Sequence, residues 1–384
     1  MIELQRVTKI YPGSEHPAVD GVSLTVPEGE ICIFIGPSGC GKTTLMRMIN
    51  RLLPISSGKI LMGGKNILDM DPIKLRRGIG YVIQQIGLFP NMTVRDNIAV
   101  VPKLLGWDKR RIDNRVDELL NLVGLSPEVF RSRYPTELSG GQAQRVGVAR
   151  AMAADPPYML MDEPFGAIDP INRSILQDEF LKIQEKLKKT IIFVTHDIDE
   201  AIKLGDKICL LKDGRLEQFG TPEELLGSPR NDFVKDFVGS DRTLKRLTLL
   251  KVRDAMLEDP VHCHMEDPAA DVIDYMEKEN LQYLLVVNGD NKLRGYVTRR
   301  DLVDYHGSIG NLVHPMTLTV RPGLNLKDAL SKMLQYDLGI LCVIDEKGRL
   351  IGALNSQTLV ATVGITYDEK GGHWGKILSG GKVL

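Results

Sequence analysis

No stretch of this 384-residue chain approaches the roughly 20 apolar residues that a membrane-spanning helix needs. Residues 1–10 carry no apolar run behind a basic patch, so no export signal is expected and the polypeptide should not cross a membrane by itself. Its five cysteines, Cys32, Cys40, Cys209, Cys263 and Cys342, are odd in number and show no CxxC spacing. That argues against a disulfide framework or a zinc site and fits a reducing, cytosolic setting. An excess of one charge is missing too. Lys plus Arg number 49 against 50 Asp plus Glu, and the balance holds on both sides of residue 240. A nucleic-acid partner therefore loses its main electrostatic argument. What is present, 43% hydrophobic and 26% charged residues, is the composition of a globular protein of two or three domains with a sizeable core.

The first 240 residues alternate short apolar runs (30–35, 158–161, 191–195, 207–211) with longer amphipathic segments. This rhythm predicts an α/β domain with a largely parallel sheet. Ile112, Val116, Leu119, Leu120 and Val123 recur at helical spacing with no comparable strand nearby, which predicts an inserted helical subdomain over about residues 100–154. After Gly239 the charged segment 240–251 marks a boundary, with a linker expected at 241–250. Beyond it the chain repeats itself at an offset of about 57 residues. Residues 283–302 resemble 340–359 in strand, charged turn, Leu-x-Gly and second strand, and each copy follows an amphipathic helix (271–279 and 326–336). The copies span 251–306 and 309–364. Residues 365–384, rich in glycine, are expected to form a flexible tail.

The chemistry concentrates in the first domain. Gly36-Pro37-Ser38-Gly39-Cys40-Gly41-Lys42-Thr43 follows an apolar strand and opens a helix, the context a phosphate-binding loop requires. Glycines let the backbone wrap an anion, and successive N–H groups at a helix start supply positive potential. Lys42 would reach the β- and γ-phosphates of a nucleotide, Thr43 would ligate Mg²⁺, and Thr44 continues the phosphate-binding set. The apolar run 158–161 ends in Asp162 and Glu163 at the carboxyl edge of the expected sheet, where ligands bind. Asp162 suits a Mg²⁺ shell and Glu163 a general base for water. A third strand ends at His196, expected to face the γ-phosphate. Leu138-Ser139-Gly140-Gly141-Gln142 precedes a helical run and makes a second anion-facing helix end.

With these motifs the chain resembles the ATPase subunit of an ABC transporter over essentially all of residues 1–240. The resemblance implies that Gly36 to Thr43 form Walker A, Leu138 to Gln142 the signature, Asp162 and Glu163 Walker B, and His196 the switch histidine. It further implies a head-to-tail homodimer in which Ser139 and Gly141 of one subunit contact ATP held by the other. Tyr11 matches the adenine-stacking aromatic, with an ordinary core tyrosine as the competing reading. Gln84 matches the glutamine that senses Mg²⁺ and water, and Asp169 the loop that signals between two ATP sites. Asp169 also precedes Pro170 and a helix, so capping competes there. Residues 86–94 would line a groove for a membrane-subunit helix, against local packing as the alternative.

The doubled C-terminal unit resembles a pair of CBS repeats. The implied fold is an α/β P-loop ABC ATPase domain, mainly parallel sheet plus an antiparallel β part and a helical subdomain, followed by a tandem CBS α/β domain. Together with residues 81–94, 133–142 and 161–170, the resemblance points to ATP- and Mg²⁺-dependent importers of quaternary-amine osmoprotectants: glycine betaine, carnitine, choline or proline betaine. It implies a place at the cytoplasmic face of the membrane, two permease subunits and a separate substrate-binding protein. An importer of another solute and a soluble ABC ATPase are the rivals. Gly295 to Asp301 matches the ribose-binding pattern of CBS repeats, with Thr298, Arg299, Arg300 and Asp301 as ligand candidates, and the second copy lacks the aspartate. An adenine or cyclic dinucleotide and a response to ionic strength both remain open as the input.

Overall fold

The computed structural model describes residues 1–83, 87–166, 168–316, 318–359 and 361–362. The chain divides into two units, Met1–Gly239 and Ser240–Leu384.

In the first unit a six-stranded sheet runs in the order Arg215–Gly220, Lys207–Lys212, Ile31–Ile35, Thr190–Val194, Tyr158–Asp162 and Ile79–Val82. All neighbours are parallel except the edge hairpin of its first two strands. Ile31–Ile35 and Thr190–Val194 are buried at every position. Such unbroken runs of β-branched and aromatic residues form strands because helices or a second sheet cover both faces of a parallel sheet. A four-stranded antiparallel sheet (Val19–Val26, Ile2–Lys9, Ser57–Met62, Lys65–Asn66) supplies one cover. Its strand Val19–Val26 alternates buried and open positions, as a one-sided sheet requires. Ile2, Leu4, Val22 and Ile60 from this sheet share a core with Leu45 and Ile49 of the helix Lys42–Ile49 and with Phe34 and Ile192.

The helix Pro170–Leu187 brings Phe180 against Phe193 of the sheet and Phe165, with ring centroids 5.9 to 6.4 Å apart. The expected helical subdomain region holds the helices Val94–Leu104, Lys109–Leu122, Pro127–Phe130 and Gly140–Met152. Thr93, Asp108 and Ser139 cap three of them through their side-chain oxygens. Ile112, Val116, Leu119 and Leu120 form the buried stripe.

The second unit contains two four-stranded sheets, each with a parallel and an antiparallel pair around its central strands Tyr283–Val287 and Ile340–Ile344. The boundary segment is structured. Residues 241–250 hold the helix Arg242–Leu249, whose Leu247 is buried in the core of the second repeat. Residues 251–258 pack there as well. Val252 and Ala255 join that same core, and the strand Leu257–Glu258 pairs with Leu350–Asn355 of the second repeat. The apolar side chains at Leu247, Val252 and Ala255 have a face to cover on the second repeat, whereas the core of the first starts at Cys263.

Phe193 is fully buried beneath two other rings, so Phe193→Ala should remove about 3 to 5 kcal/mol of stability. A double-mutant cycle with Phe165→Ala in chemical denaturation should show a coupling of about 0.5 to 1.5 kcal/mol.

Candidate functional site

The phosphate loop turns between the strand Ile31–Ile35 and the helix Lys42–Ile49. Gly36 has φ +148°, and a Cβ there would run into the Leu211 carbonyl oxygen of the neighbouring strand. Gly41 has φ +103° at the helix N-cap, and its Cβ would meet the Ala18 carbonyl oxygen. These two glycines are thus required by close backbone approach. The Lys42 ammonium donates to the carbonyl oxygens of Gly36 (2.7 Å) and Pro37 (2.9 Å), which folds the side chain back over the loop. Cys40 lies buried at 3.7 Å from that ammonium, and burial, the leading effect, raises its thiol above the ordinary range. It stays a protonated, packing thiol rather than a nucleophile.

Asp162 and Glu163 leave the parallel strand Tyr158–Asp162, which Thr190–Val194 separates from Ile31–Ile35, at the same edge. Thr43 Oγ1 donates to Asp162 Oδ1 at 3.4 Å. Desolvation pushes the Asp162 carboxyl upward, with the Thr43 hydrogen bond and the Arg47 and Lys42 charges opposing. Glu163 sits at φ +45°, a left-handed conformation costly for a side-chain-bearing residue, and its N–H is held by the Val194 carbonyl at 2.9 Å. His196 Nδ1 lies 3.2 Å from Glu163 Oε1. The structure thus brings Lys42, Thr43, Asp162, Glu163 and His196 to one edge of one sheet.

Ser139 and Gln142 form a reciprocal capping box at the start of Gly140–Met152, with Ser139 N to Gln142 Oε1 at 3.0 Å and Gln142 N to Ser139 Oγ at 3.3 Å. Gly140 and Gly141 have ordinary helical φ, and a Cβ on either would meet nothing within 4 Å. Neither this chain's packing nor its backbone asks for glycine there. Leu138 is half-buried beside them. Asp169 caps Pro170–Leu187 by accepting from Asn172 N (3.1 Å) and Asn172 Nδ2 (2.8 Å). Tyr11 is 38% exposed, which removes the core reading, and its hydroxyl is 3.5 Å from Thr44 Oγ1 behind the phosphate loop. Gln84 lies outside the described residues.

The exposed Phe89 loop is ordered by Asn97, a residue the sequence reading passed over. Its buried amide accepts from Phe89 N and donates to the carbonyls of Phe89, Met92 and Thr93, all within 3.1 Å. Glu200 was also missed. Its carboxyl is buried four residues after His196 and accepts from Gln177 Nε2 at 3.0 Å. An acid on the otherwise apolar face of Ala201, Ile202 and Leu204 was the available signal.

In the second unit Asp301 Oδ2 accepts from Thr298 N (2.9 Å) and Thr298 Oγ1 (2.6 Å) and faces His314 Nε2 at 2.9 Å. The Thr298 hydroxyl, first, and the His314 contact lower its carboxyl below the usual range. Arg299 pairs with Glu277 at 2.6 Å, and Arg300 is exposed. A cleft of about 380 Å³ lies elsewhere, between Tyr275 and Tyr283 of the first repeat and Asn355, Ser356 and Gln357 of the second. None of the four candidates Thr298, Arg299, Arg300 and Asp301 lines this cleft. Asp301 is turned inward to its own helix start. Glu279 is the one charged residue in that lining, so the cleft offers no counter-charge to a phosphate.

Comparison with known proteins follows the same division. The ABC transporter family model matches residues 19–166, and the CBS domain model matches 252–308 and 309–363. The osmoprotectant import ATP-binding protein OsmV of Salmonella typhimurium is 49% identical over 365 residues, covering 94% of this chain and 95% of its own. The glycine betaine/carnitine/choline transport ATP-binding protein OpuCA of Bacillus subtilis is 47% identical over 373 residues, 96% of this chain and 97% of its own. Among solved structures, the dimeric ATP-binding cassette MJ0796 in a post-hydrolysis state with ADP and phosphate superposes with a TM-score of 0.53 at 34% identity, over 58% of this chain and 99% of that one. Likeness that runs through the repeats as well as the nucleotide unit places the chain in a family by its whole length: it belongs to the ATP-binding proteins of ABC transporters that carry a C-terminal CBS pair.

Proposed function

We propose that this chain is the ATP-hydrolysing subunit that energises import of quaternary-amine osmoprotectants of the glycine betaine, carnitine, choline or proline betaine type. The observation that carries the reading is the Glu163–His196 pair, 3.2 Å apart at the sheet edge beside the phosphate loop, in a chain whose near full-length relatives serve such importers. ATP would lie with its adenine toward the exposed Tyr11 and its phosphates on the N–H groups of residues 36–43 and on Lys42. Glu163 would take the proton of the attacking water, and His196 would hold Glu163 and the γ-phosphate in line.

The residues present fit Mg²⁺. A buried carboxyl raised by desolvation beside a hydroxyl, Asp162 with Thr43, is a pair of hard oxygen donors that a cation would relieve. Among the described residues no group of three or more His, Cys, Asp or Glu could form a full protein cage. That suits an ion that draws its other ligands from phosphate and water. Asp162 and Thr43 would hold Mg²⁺ there, which would supply charge neutralisation for the phosphates. Gln84 belongs to the same proposed set.

Partners follow from surface chemistry. The unneeded glycines 140 and 141 leave a helix N-terminus clear for a second body, which supports a homodimer in which Ser139 and Gly141 face the other copy's ATP. Asp169 would lie at that contact while capping its helix. The exposed Phe89 loop, held rigid by Asn97, would receive a helix from each of two permease subunits, with a substrate-binding protein contacting only those. Among the described residues no helix is long and apolar enough to cross a membrane. The proposed place is peripheral, on the cytoplasmic face.

The CBS pair is proposed to regulate. An adenine or cyclic dinucleotide at Thr298 to Asp301 would have to displace the Asp301 contacts described above, and a response to ionic strength would not.

Glu163→Gln should lower ATP turnover by about 10³-fold or more while ATP binding persists, measured by steady-state hydrolysis and equilibrium binding. Turnover at the parental rate would remove Glu163 as the base. In transport assays of the assembled complex, betaine, carnitine or choline should be preferred over amino acids without a quaternary nitrogen; the reverse preference sinks the cargo reading. Asp301→Ala should cost about 1 kcal/mol of stability at neutral pH as a lost cap. Because the folded carboxyl is lowered, this contribution is present above its unfolded pKa and fades as pH falls through the folded one. Thermal unfolding of the two proteins should therefore converge in acid. Loss of cyclic di-AMP binding with unchanged stability would instead make Asp301 a ligand residue.

A further inference from the structure

Glu200 has no place in the phosphate chemistry, yet it is one of few buried acids in the chain, 7% exposed. Its carboxyl joins two elements. From the helix Pro170–Leu187, Gln177, itself 6% exposed, donates Nε2–H to Glu200 Oε1 at 3.0 Å. At the end of the strand Thr190–Val194, the buried Thr195 hydroxyl acts favourably on the same carboxyl. Thr195 Oγ1 in turn accepts the N–H of Asp197 at 3.1 Å, and Asp197 Oδ1 caps the short helix Ile198–Leu204 by accepting from Asp199 N (2.9 Å) and Glu200 N (3.3 Å). The residues on both sides of His196 are therefore tied, directly or through one hydroxyl, to one buried carboxyl.

We propose that Glu200 is a positioning residue for ATP hydrolysis: it fixes the turn 195–197, and with it His196 against Glu163, to the helix that begins at Asp169. Three features support the assignment. His196 is itself largely exposed, so its own packing does not orient the ring. A purely structural contact between an apolar helix and a strand end would be filled more cheaply by an aliphatic side chain, since burying a carboxyl costs desolvation. Burial indeed raises the Glu200 carboxyl, against the opposing Thr195 and Gln177 hydrogen bonds. The same helix also carries Arg173, whose Nη2 donates to the Ile168 carbonyl at 2.8 Å and whose charge acts on Glu200. The link thus runs from the Ile168 carbonyl beside Asp169 to the His196 turn through the half-buried Arg173, whose charge acts on Glu200.

The chemistry permits an exchange that separates positioning from packing. In the pair Glu200→Gln with Gln177→Glu, the new amide at 200 accepts from Thr195 through its oxygen and donates to the new carboxylate at 177 through its nitrogen, so every bond has a counterpart. Gln177→Glu alone sets two carboxyls face to face. Steady-state hydrolysis by the full-length chain should show Glu200→Ala with kcat lowered about tenfold and KM for ATP within about twofold of the parent. Gln177→Glu should fall by a similar factor, and the exchanged pair should recover to within about threefold. Thermal unfolding followed on the same samples separates the alternatives. If kcat, KM and unfolding temperature decline together, or if the exchange restores stability without restoring kcat, the role is structural and the proposal is overturned. A Glu200→Ala protein with parental kcat overturns it equally. Should Glu200→Ala fail to fold, the comparison of Gln177→Glu with the exchanged pair decides the matter alone.

Discussion

The register of three parallel strands is the constraint on which the nucleotide site rests. Val194 lies opposite Phe34 on one side and Asp162 on the other, so the three strands end level with one another. The residues that follow, Ile35 and Gly36, Thr195 and His196, and Glu163, have nowhere to go but the same edge. A slip of one residue between Tyr158–Asp162 and Thr190–Val194 would turn Asp162 to the opposite face of the sheet. Nothing in the motifs prevents such a slip. What prevents it is the apolar packing on both faces: Leu160, Ile192 and Phe34 toward one side, Phe193 with Phe165 and Phe180 toward the other. The aromatic cluster is thus part of the catalytic geometry, though none of its atoms approaches the phosphate loop.

Electrostatics then works within that frame. The loop N–H groups, the helix start and Lys42 form one positive wall, while Asp162 and Glu163 face it from the end of the next strand but one. Two carboxyls so close in sequence would repel if both pointed at one point. The left-handed turn at Glu163 separates them, sending Asp162 toward Thr43 and Glu163 toward His196. One strained residue lets a single strand end deliver two acids with different tasks.

What the sequence disclosed and what it hid divide along a physical line. The phosphate loop, the acidic strand end and the Ser139 helix start are local: strand, turn and helix are contiguous, and their residue types are dictated within a few positions. Periodicity gave the helix 109–122 and the doubled unit for the same reason. Glu200 was hidden because its meaning depends on Gln177, 23 residues earlier, and a lone acid on a short helix reads as surface. The pattern at Asp301 fits a ribose contact as well as a capping box, and its contact with His314, brought alongside by the strand pairing of Tyr296 with His314, could not be read from it. The packing of the segment 241–258 was hidden by its charge. Its few apolar residues count for little in a window average but occupy one face, and that face belongs to the second repeat.

This last point bears on how the doubled unit can act. Residues 247–258, before and at the start of the first repeat, complete the sheet and core of the second, and the turns of the two copies exchange hydrogen bonds, Leu293 N to Gly348 O at 3.2 Å and Leu350 N to Asn291 O at 2.9 Å. Leu285 and Val287 share a buried cluster with Cys342 and Leu350. Separating the copies would expose that cluster and strand both turns, so neither repeat has a complete core of its own. A disturbance at either copy is therefore borne by the pair. The first strand of the pair, Leu257–Glu258, follows the helix Arg242–Leu249 with a few residues between, and that helix is the first element after the nucleotide unit ends at Gly239. The chain enters its second unit through an element that is already part of the second repeat's core.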